Sequence, residues 1–252
     1  MSLKVVGVIP ARLGSTRLAE KVLKPIQGKP MVEWVWRRAV GAKKLSDVIV
    51  ACDDARIVKC VEGFGGKAML TSPDHPNGSS RIAEAASKIQ ADVFINIQGD
   101  EPMIHPQGID QLAALFEQEK EIRVGTLAVR KTSVEDYENP NVVKVICDAK
   151  GRALYFSRSP LPYFREKPAQ GITYLKHLGI YGYRRDFILE FVTWKPGVLE
   201  NYEKLEQLRI LERGIPIHVI ETAHDSWSVD TADDLLVVEN KMKELKVTGR
   251  LN

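Results

Sequence analysis

The feature that most constrains this chain is its alternation of short β-branched runs with segments of helical spacing. Val5 to Ile9 is apolar up to Pro10, as expected of a buried strand, and it opens into a polar loop with Gly14, Ser15, Thr16, Arg17 and Lys21. Met31, Val35 and Ala39 then recur at i, i+4 and i+8, the apolar face of a helix. Asp47 to Cys52 reads as the second strand. Asp54 is placed to cap a helix carrying Ile57, Val61 and Phe64 on one face, Gly65-Gly66 supplies a left-handed stop, and Lys67 to Leu70 is a third strand. The pattern continues with a helix after Ser79 or Ser80, a strand at Val93 to Ile97, a helix near Gln107 to Glu117 and a strand at Val124 to Val129. Such alternation predicts an α/β fold with a mostly parallel central sheet and helices on both faces.

The texture changes after Lys131. Val142 to Ile146, the turn Asp148-Ala149-Lys150-Gly151 and Ala153 to Phe156 read as a β-hairpin, and Leu178 to Tyr183 reads as a further strand. Helical spacing returns at Tyr202 to Arg213 and at Thr231 to Lys246, around a strand at Ile217 to Ile220. With no internal repeat and no linker composition, one domain over residues 1–252 is expected, extended by the hairpin region around 131–200.

Composition excludes several classes. Lys and Arg total 36 against 33 Asp and Glu, and no basic stripe with interleaved aromatics occurs, so nucleic acid is not an expected partner. The longest runs of hydrophobic residues, Val48 to Cys52 and Leu112 to Phe116, fall far short of the ~18 residues needed to span a bilayer. Cys52, Cys60 and Cys147 form no CxxC pair, and Met1 to Val5 opens no export signal, which together suit a reducing cytoplasm.

Six segments carry the candidate chemistry. Ile9 to Lys21 places Arg12, Arg17 and Lys21 in a loop at the carboxyl end of the first strand, where α/β sheets bind ligands and where cations and backbone N–H groups suit a polyphosphate; a solvated basic loop is the competing reading. The loop matches neither GxGxxG nor GxxxxGK[ST]. Gln98-Gly99-Asp100-Glu101-Pro102 follows another strand, and Asp100 is the kind of hard oxygen ligand that Mg²⁺ uses beside substrate phosphates, although acidic residues also shape turns. Asp230, in Ser228-Val229-Asp230-Thr231, is read both as a helix cap and as a second metal ligand. In a strand, His177, Gly179, Tyr181 and Tyr183 share one face, so an imidazole and two phenols would line a wall, with core packing the competing reading for the tyrosines. Arg158 offers a fork for a carboxylate or is an ordinary exposed cation, and Glu206 and Gln207 lie on the helix expected at Tyr202 to Arg213, where a solvated face is the alternative.

Taken together, Ile9-Pro-Ala-Arg-Leu-Gly-Ser-Thr-Arg-Leu18, Asn96-Ile-Gln-Gly-Asp-Glu-Pro102, Ala153-Leu-Tyr-Phe-Ser-Arg158, His177-Leu-Gly-Ile-Tyr-Gly-Tyr183, Leu205-Glu-Gln-Leu-Arg209 and Val229-Asp-Thr231 resemble the 3-deoxy-manno-octulosonate cytidylyltransferase family, also called CMP-KDO synthetase. The resemblance implies a Rossmann-like nucleotidyltransferase fold and a cytoplasmic homodimer that couples CTP to an eight-carbon acidic sugar for lipopolysaccharide synthesis. It further implies that Arg12, Ser15, Arg17 and Lys21 hold the triphosphate, with Ser79 and Arg81 at the nucleotide pocket and Gln98 on both substrates. Asp100 and Asp230 would bind Mg²⁺, and Arg12, Lys21, Asp100 and Asp230 would form the catalytic set. Arg158, His177, Tyr181, Glu206 and Gln207 would bind the sugar. A related acid (8-amino-KDO or a nonulosonic acid) and a non-catalytic nucleotide-binding relative remain open alternatives. Two positions depart from the family pattern: Ala19-Glu20 stands where Pro-Gly is usual, and Ser79-Ser80 where Thr-Glu/Asp is usual. Glu20 is expected to repel triphosphate unless it points away.

Overall fold

The first strand, β1 (Val5–Ala11), is buried on both sides because its neighbours sandwich it, and the alternation of its side chains feeds two separate cores. Val5, Ile9 and Ala11 join one apolar cluster, Val6 and Val8 the other. The structure, a computed structural model, describes residues 3–14, 18–166 and 171–247. After β1, a 3-10 turn (Lys21–Leu23) and a small hairpin of β2 (Pro25–Ile26) and β3 (Lys29–Pro30) lead into α1 (Met31–Val40). Then β4 (Asp47–Cys52), α2 (Ala55–Gly63), β5 (Lys67–Leu70), α3 (Gly78–Lys88), β6 (Val93–Asn96), α4 (Pro106–Gln118) and β7 (Val124–Lys131) alternate. The second half holds α5 (Val134–Glu138), β8 (Lys144–Cys147), β9 (Ala153–Ser157), β10 (Tyr174–Arg184), α6 (Arg185–Phe191), α7 (Val198–Glu203), α8 (Leu208–Leu211), β11 (His218–Glu221) and α9 (Ala232–Val247).

The main sheet runs β11-β7-β10-β6-β1-β4-β5, with β8 and β9 attached beside β10. Pairs β1/β4, β1/β6, β4/β5 and β7/β11 are parallel, whereas β10 is antiparallel to both β6 and β7. Helices α1, α2 and α4 cover one face through Val35, Ile57, Val61 and Leu112, and α3, α6 and α8 cover the other through Ile82, Phe187, Phe191 and Leu208. The expected fold class is therefore present, with an antiparallel strand set into the middle of a parallel sheet. A third cluster packs α9 against β2 and α1 through Val238, Met242, Ile26, Met31 and Trp34. That contact brings the last helix back over the first loop.

Several local expectations shift. Helix α3 starts at Gly78 rather than after Ser79, because the Asn77 side chain accepts from Ser80 N at 2.9 Å and caps it there. The single helix expected over Tyr202 to Arg213 is two short ones. Lys204 between them turns left-handed at φ 53°, and the Arg209 guanidinium forks onto the Glu200 carboxylate at 2.7 and 2.6 Å, folding α8 back against α7. Glu206, half-buried, and Gln207, buried, thus sit in a turn rather than on a solvated helix face. Strand β10 is longer than expected, starting at Tyr174, and its register with β7 jumps between Leu178 and Tyr181, leaving Gly179 and Ile180 as a bulge.

Candidate active site

Loops from the carboxyl ends of β1 and β6 meet at a very close approach. A Cβ on Gly99 would stand 2.6 Å from the Pro10 carbonyl oxygen, so only glycine lets the two loops touch. Gln98 Nε2 donates to the Gly179 carbonyl at 2.9 Å and so ties the β10 bulge to the same place. Val229 N donates to the Asp100 carbonyl at 2.9 Å, which fixes the segment before α9 against the β6 loop. The result is a cleft of about 320 Å³ lined by Arg12, Lys21, Asn77, Gly78, Arg81, Gln98, Gly99, Asp100 and Asp230, among others.

At its floor the Lys21 ammonium lies 2.6 Å from Asp100 Oδ2 and 3.0 Å from Asp230 Oδ1. Burial disfavours its charge, but the two carboxylates outweigh that cost and the Lys21 pKa is raised. Lys21 and Asp230 are 209 residues apart in sequence, yet their side chains meet. The donor set fits Mg²⁺: two hard protein oxygens, with phosphate oxygens and water to complete the shell, are what that ion uses, and Lys21 stands in as the cation here. Asp230 also lies where a cap would: the Thr231 hydroxyl accepts from Asp234 N at 3.2 Å, and Asp234 Oδ2 accepts from Asp230 N and Thr231 N. Thr231 does the capping, which leaves the Asp230 side chain for the cleft.

The departing residues find distinct partners. Glu20 adopts φ 52°, ψ 34°, the left-handed conformation that a glycine would take there without strain. Its carboxylate pairs with Arg56 Nη1 at 2.7 Å and is not part of the cleft lining, so it points away from the cleft. Ser79 donates its hydroxyl to Glu206 Oε2 at 2.6 Å, and Asn77 Nδ2 donates to Glu206 Oε1 at 2.8 Å. Arg81, expected at the nucleotide, lines the cleft but is almost fully buried and is engaged by protein: its guanidinium donates to Thr71 Oγ1 and the Ser72 carbonyl and lies 3.6 Å from Asp53. Ser15 and Arg17 lie outside the described residues.

Residues 6–221 match the family model described as cytidylyltransferase. A 3-deoxy-manno-octulosonate cytidylyltransferase from Geobacter sulfurreducens is 48% identical over 250 residues, covering 96% of this chain and 100% of that protein. One from Fusobacterium nucleatum is also 48% identical, over 96% of this chain and 98% of its own length. This chain is a member of the 3-deoxy-manno-octulosonate cytidylyltransferase family. A solved CMP:2-keto-3-deoxy-manno-octonic acid synthetase in complex with CTP superposes at TM-score 0.90 with 42% identity, over 96% of this chain and 99% of that one. A Leptospira borgpetersenii cytidylyltransferase, at 17% identity and TM-score 0.65, shares the fold alone.

Of the residues expected to bind the sugar, Gln98 lines the cleft, whereas Arg158, His177, Tyr181, Glu206 and Gln207 do not; His177 and Tyr181 form a separate wall. The His177 ring packs on Phe156 at 4.9 Å and on Tyr181 at 5.4 Å, and Tyr181 stacks on Tyr183 at 5.7 Å, so the bulge preserves their common face. Thr126 Oγ1 donates to the Ile180 carbonyl at 2.6 Å, so His177 Nε2, 3.0 Å from the same oxygen, is the donor to it. Burial pushes the His177 pKa down to about 3, which keeps the ring neutral. The Tyr181 hydroxyl is buried beside the Thr126 side chain, and burial, opposed by that contact, holds its pKa well above the ordinary value. Glu206, its pKa raised by burial, links the wall to the cleft through Asn77 and Ser79. Gln207 is buried beside it at the start of α8, and Arg158 is held by backbone acceptors after β9.

Sequence reasoning missed Asn77, Glu101 and Lys144 in this cytidylyltransferase. Asn77 was legible as an Asn-Gly-Ser run ahead of helical spacing. Glu101 read only as a turn residue; burial, then the charge of Asp100, pushes its carboxyl up to about 7. Lys144 gives no sequence signal that separates it from a surface lysine.

Proposed function

We propose that the chain transfers a cytidylyl group from CTP to 3-deoxy-manno-octulosonate, releasing pyrophosphate, with Mg²⁺ held by Asp100 and Asp230. The observation that carries this reading is the convergence of Lys21, Asp100 and Asp230 in one cleft that Gln98 also lines. The anomeric oxygen of the sugar forms a bond to the α-phosphorus while the bond from that phosphorus to the bridging oxygen of the β-phosphate breaks; pyrophosphate leaves and the hydroxyl proton passes to solvent. Both reactants are anions, so positioning and charge neutralisation are the main tasks. Bound Mg²⁺ would supply Lewis-acid stabilisation of the phosphate charge and a lower pKa for the attacking hydroxyl.

Arg12, exposed at the mouth of the cleft, orients the triphosphate, and Lys21 moves from its carboxylates toward the phosphate oxygens. Neutral His177 and the Tyr181 hydroxyl meet sugar hydroxyls, Arg158 meets the sugar carboxylate, and Gln98 faces both substrates from the turn between them. Assembly as a homodimer and residence in the cytoplasm belong to the same proposal and rest on the family resemblance; no described helix is long and apolar enough to cross a membrane.

The test is pyrophosphate release from CTP and Mg²⁺ with 3-deoxy-manno-octulosonate, its 8-amino analogue and N-acetylneuraminate in parallel. Fastest release with the first sugar is expected. Preference for either of the others would reassign the substrate, and CTP binding without release from any of them would reject catalysis.

A further inference from the structure

Lys144 in β8 is fully buried, and its three N–H groups are all committed to backbone carbonyls: Asn139 at 3.0 Å, Val142 at 2.6 Å and Arg158 at 2.7 Å. No carboxylate lies within ion-pair distance of it among the described residues. Burying an ammonium without a direct ion pair is costly, and burial lowers its pKa despite the opposing charge of Glu203, so an apolar side chain of similar length would be the cheaper filling for this site. Three short carbonyl contacts from two separate segments indicate what the ammonium does instead: it pins the 139–142 loop to the residue that follows β9.

That residue is Arg158, and it is gripped from the other side as well. Glu203, the last residue of α7, accepts from Ser157 Oγ at 2.5 Å and from Arg158 N at 2.9 Å through its carboxylate. Its own backbone carbonyl accepts from Arg158 Nε at 2.7 Å, and the Pro140 carbonyl accepts from Nη1 at 2.9 Å. The left-handed turn at Lys204 ends α7 at the point where that carbonyl can face Arg158 rather than a following turn of helix. The backbone N–H and C=O of Arg158 and its Nε and Nη1 are all held, and Nη2 alone among its nitrogens has no acceptor among the described residues. Arg158 also lies two residues beyond Phe156, whose ring packs on His177.

We infer that Lys144 and Glu203 are positioning residues that hold the Arg158 guanidinium so that its uncommitted Nη2 is presented to the carboxylate of the acidic sugar. The inference rests on the sugar-binding role proposed for Arg158. It explains why a lysine is buried with no carboxylate in direct contact, only the charge of Glu203 acting on it from further off: the ammonium organises carbonyls that would otherwise point at one another, and adds a positive field on the side where an anion docks.

The experiment compares steady-state KM for 3-deoxy-manno-octulosonate and for CTP in wild type, Lys144→Met, Glu203→Ala, Glu203→Gln, Arg158→Ala and the double variant Lys144→Met with Arg158→Ala. Lys144→Met and Glu203→Ala are expected to raise the sugar KM about tenfold, the worth of one hydrogen bond to a charged group, while the CTP KM stays within about twofold. Glu203→Gln keeps an acceptor for Arg158 N and offers Ser157 Oγ an amide donor in place of the carboxylate that accepted from it, and is expected to restore most of the loss. In the double variant the sugar KM should be no worse than in Arg158→Ala alone, because a positioning residue has nothing left to position. Additive losses, or equal rises in both KM values, would overturn the inference in favour of general destabilisation. If Lys144→Met does not fold, the Glu203→Ala and Glu203→Gln pair carries the same test. Wild-type sugar KM in Arg158→Ala would instead remove the role of Arg158 itself, whereas an impaired Arg158→Ala beside unaffected Lys144→Met and Glu203→Ala would remove only the clamp.

Discussion

The cleft and the wall solve opposite problems. In the cleft, charges are brought together and left partly open: Lys21, Asp100 and Asp230 have side-chain exposures of 13%, 27% and 34%, enough for an incoming anion to exchange partners with them. In the wall, His177 is held neutral, the Tyr181 phenol is pushed well above its ordinary pKa by burial, and Glu206 is already bonded to Asn77 and Ser79. One region works by field and the other by shape and hydrogen-bond placement. The difference teaches that substitutions in the cleft should act on turnover, while those in the wall should act on sugar affinity and on pH-dependent stability.

The largest effect expected of this contrast is on turnover. Asp100→Asn should lower kcat by about 10²-fold, as removal of a transition-state electrostatic group does, with a much smaller change in sugar KM. A variant whose defect lay mainly in sugar KM would erase the distinction between the two regions.

An intermediate effect is expected in stability. His177 titrates from 6.5 in the unfolded chain but only near 3 in the folded one. Below pH 6.5 the unfolded state therefore binds a proton that the folded state refuses, and stability falls as pH drops from 6.5 toward 3. The slope from this group is at most about 1.4 kcal/mol per pH unit. His177→Gln should lose it, so denaturant unfolding of the two proteins should converge or cross between pH 7 and pH 5. Parallel curves would show that the wall does not exclude the imidazolium.

The smallest effect concerns Glu20. A left-handed backbone costs a side-chain-bearing residue about 1 kcal/mol, and an exposed pair with Arg56 returns less. Glu20→Gly should therefore stabilise the fold by about 0.5 kcal/mol and change the KM for CTP by less than about twofold. A large fall in that KM would mean that the carboxylate enters the cleft and that the field there is weaker than its lining suggests.

The cleft was the more legible region because its residues sit where topology puts ligands, in loops after parallel strands, and because their chemistry shows in their residue types. Asp100 and Lys21 needed only the strand pattern before them. The meeting of Asp230 with them required the packing of α9 on β2 and α1, which its apolar residues permit but do not specify. The wall was less legible. Leu205, Leu208 and Leu211 have helical spacing, yet that helix is broken at Lys204, with Arg209 forked on Glu200, and Glu206 is half-buried in the turn that follows. The direction of Glu20 depends on Arg56, 36 residues away, and the burial of Lys144 on a loop and a strand end that only folding joins. These are contacts between distant segments, for which local pattern carries no signal.

The most direct test of the charged cleft is the Mg²⁺ dependence of pyrophosphate release from CTP and 3-deoxy-manno-octulosonate, measured for wild type and Asp230→Asn. If Asp230 is one of two carboxylates that hold the ion, the variant should need roughly tenfold more Mg²⁺ for half-maximal rate, the scale of losing one charged ligand. Superimposable Mg²⁺ curves with wild-type turnover at limiting metal would contradict it.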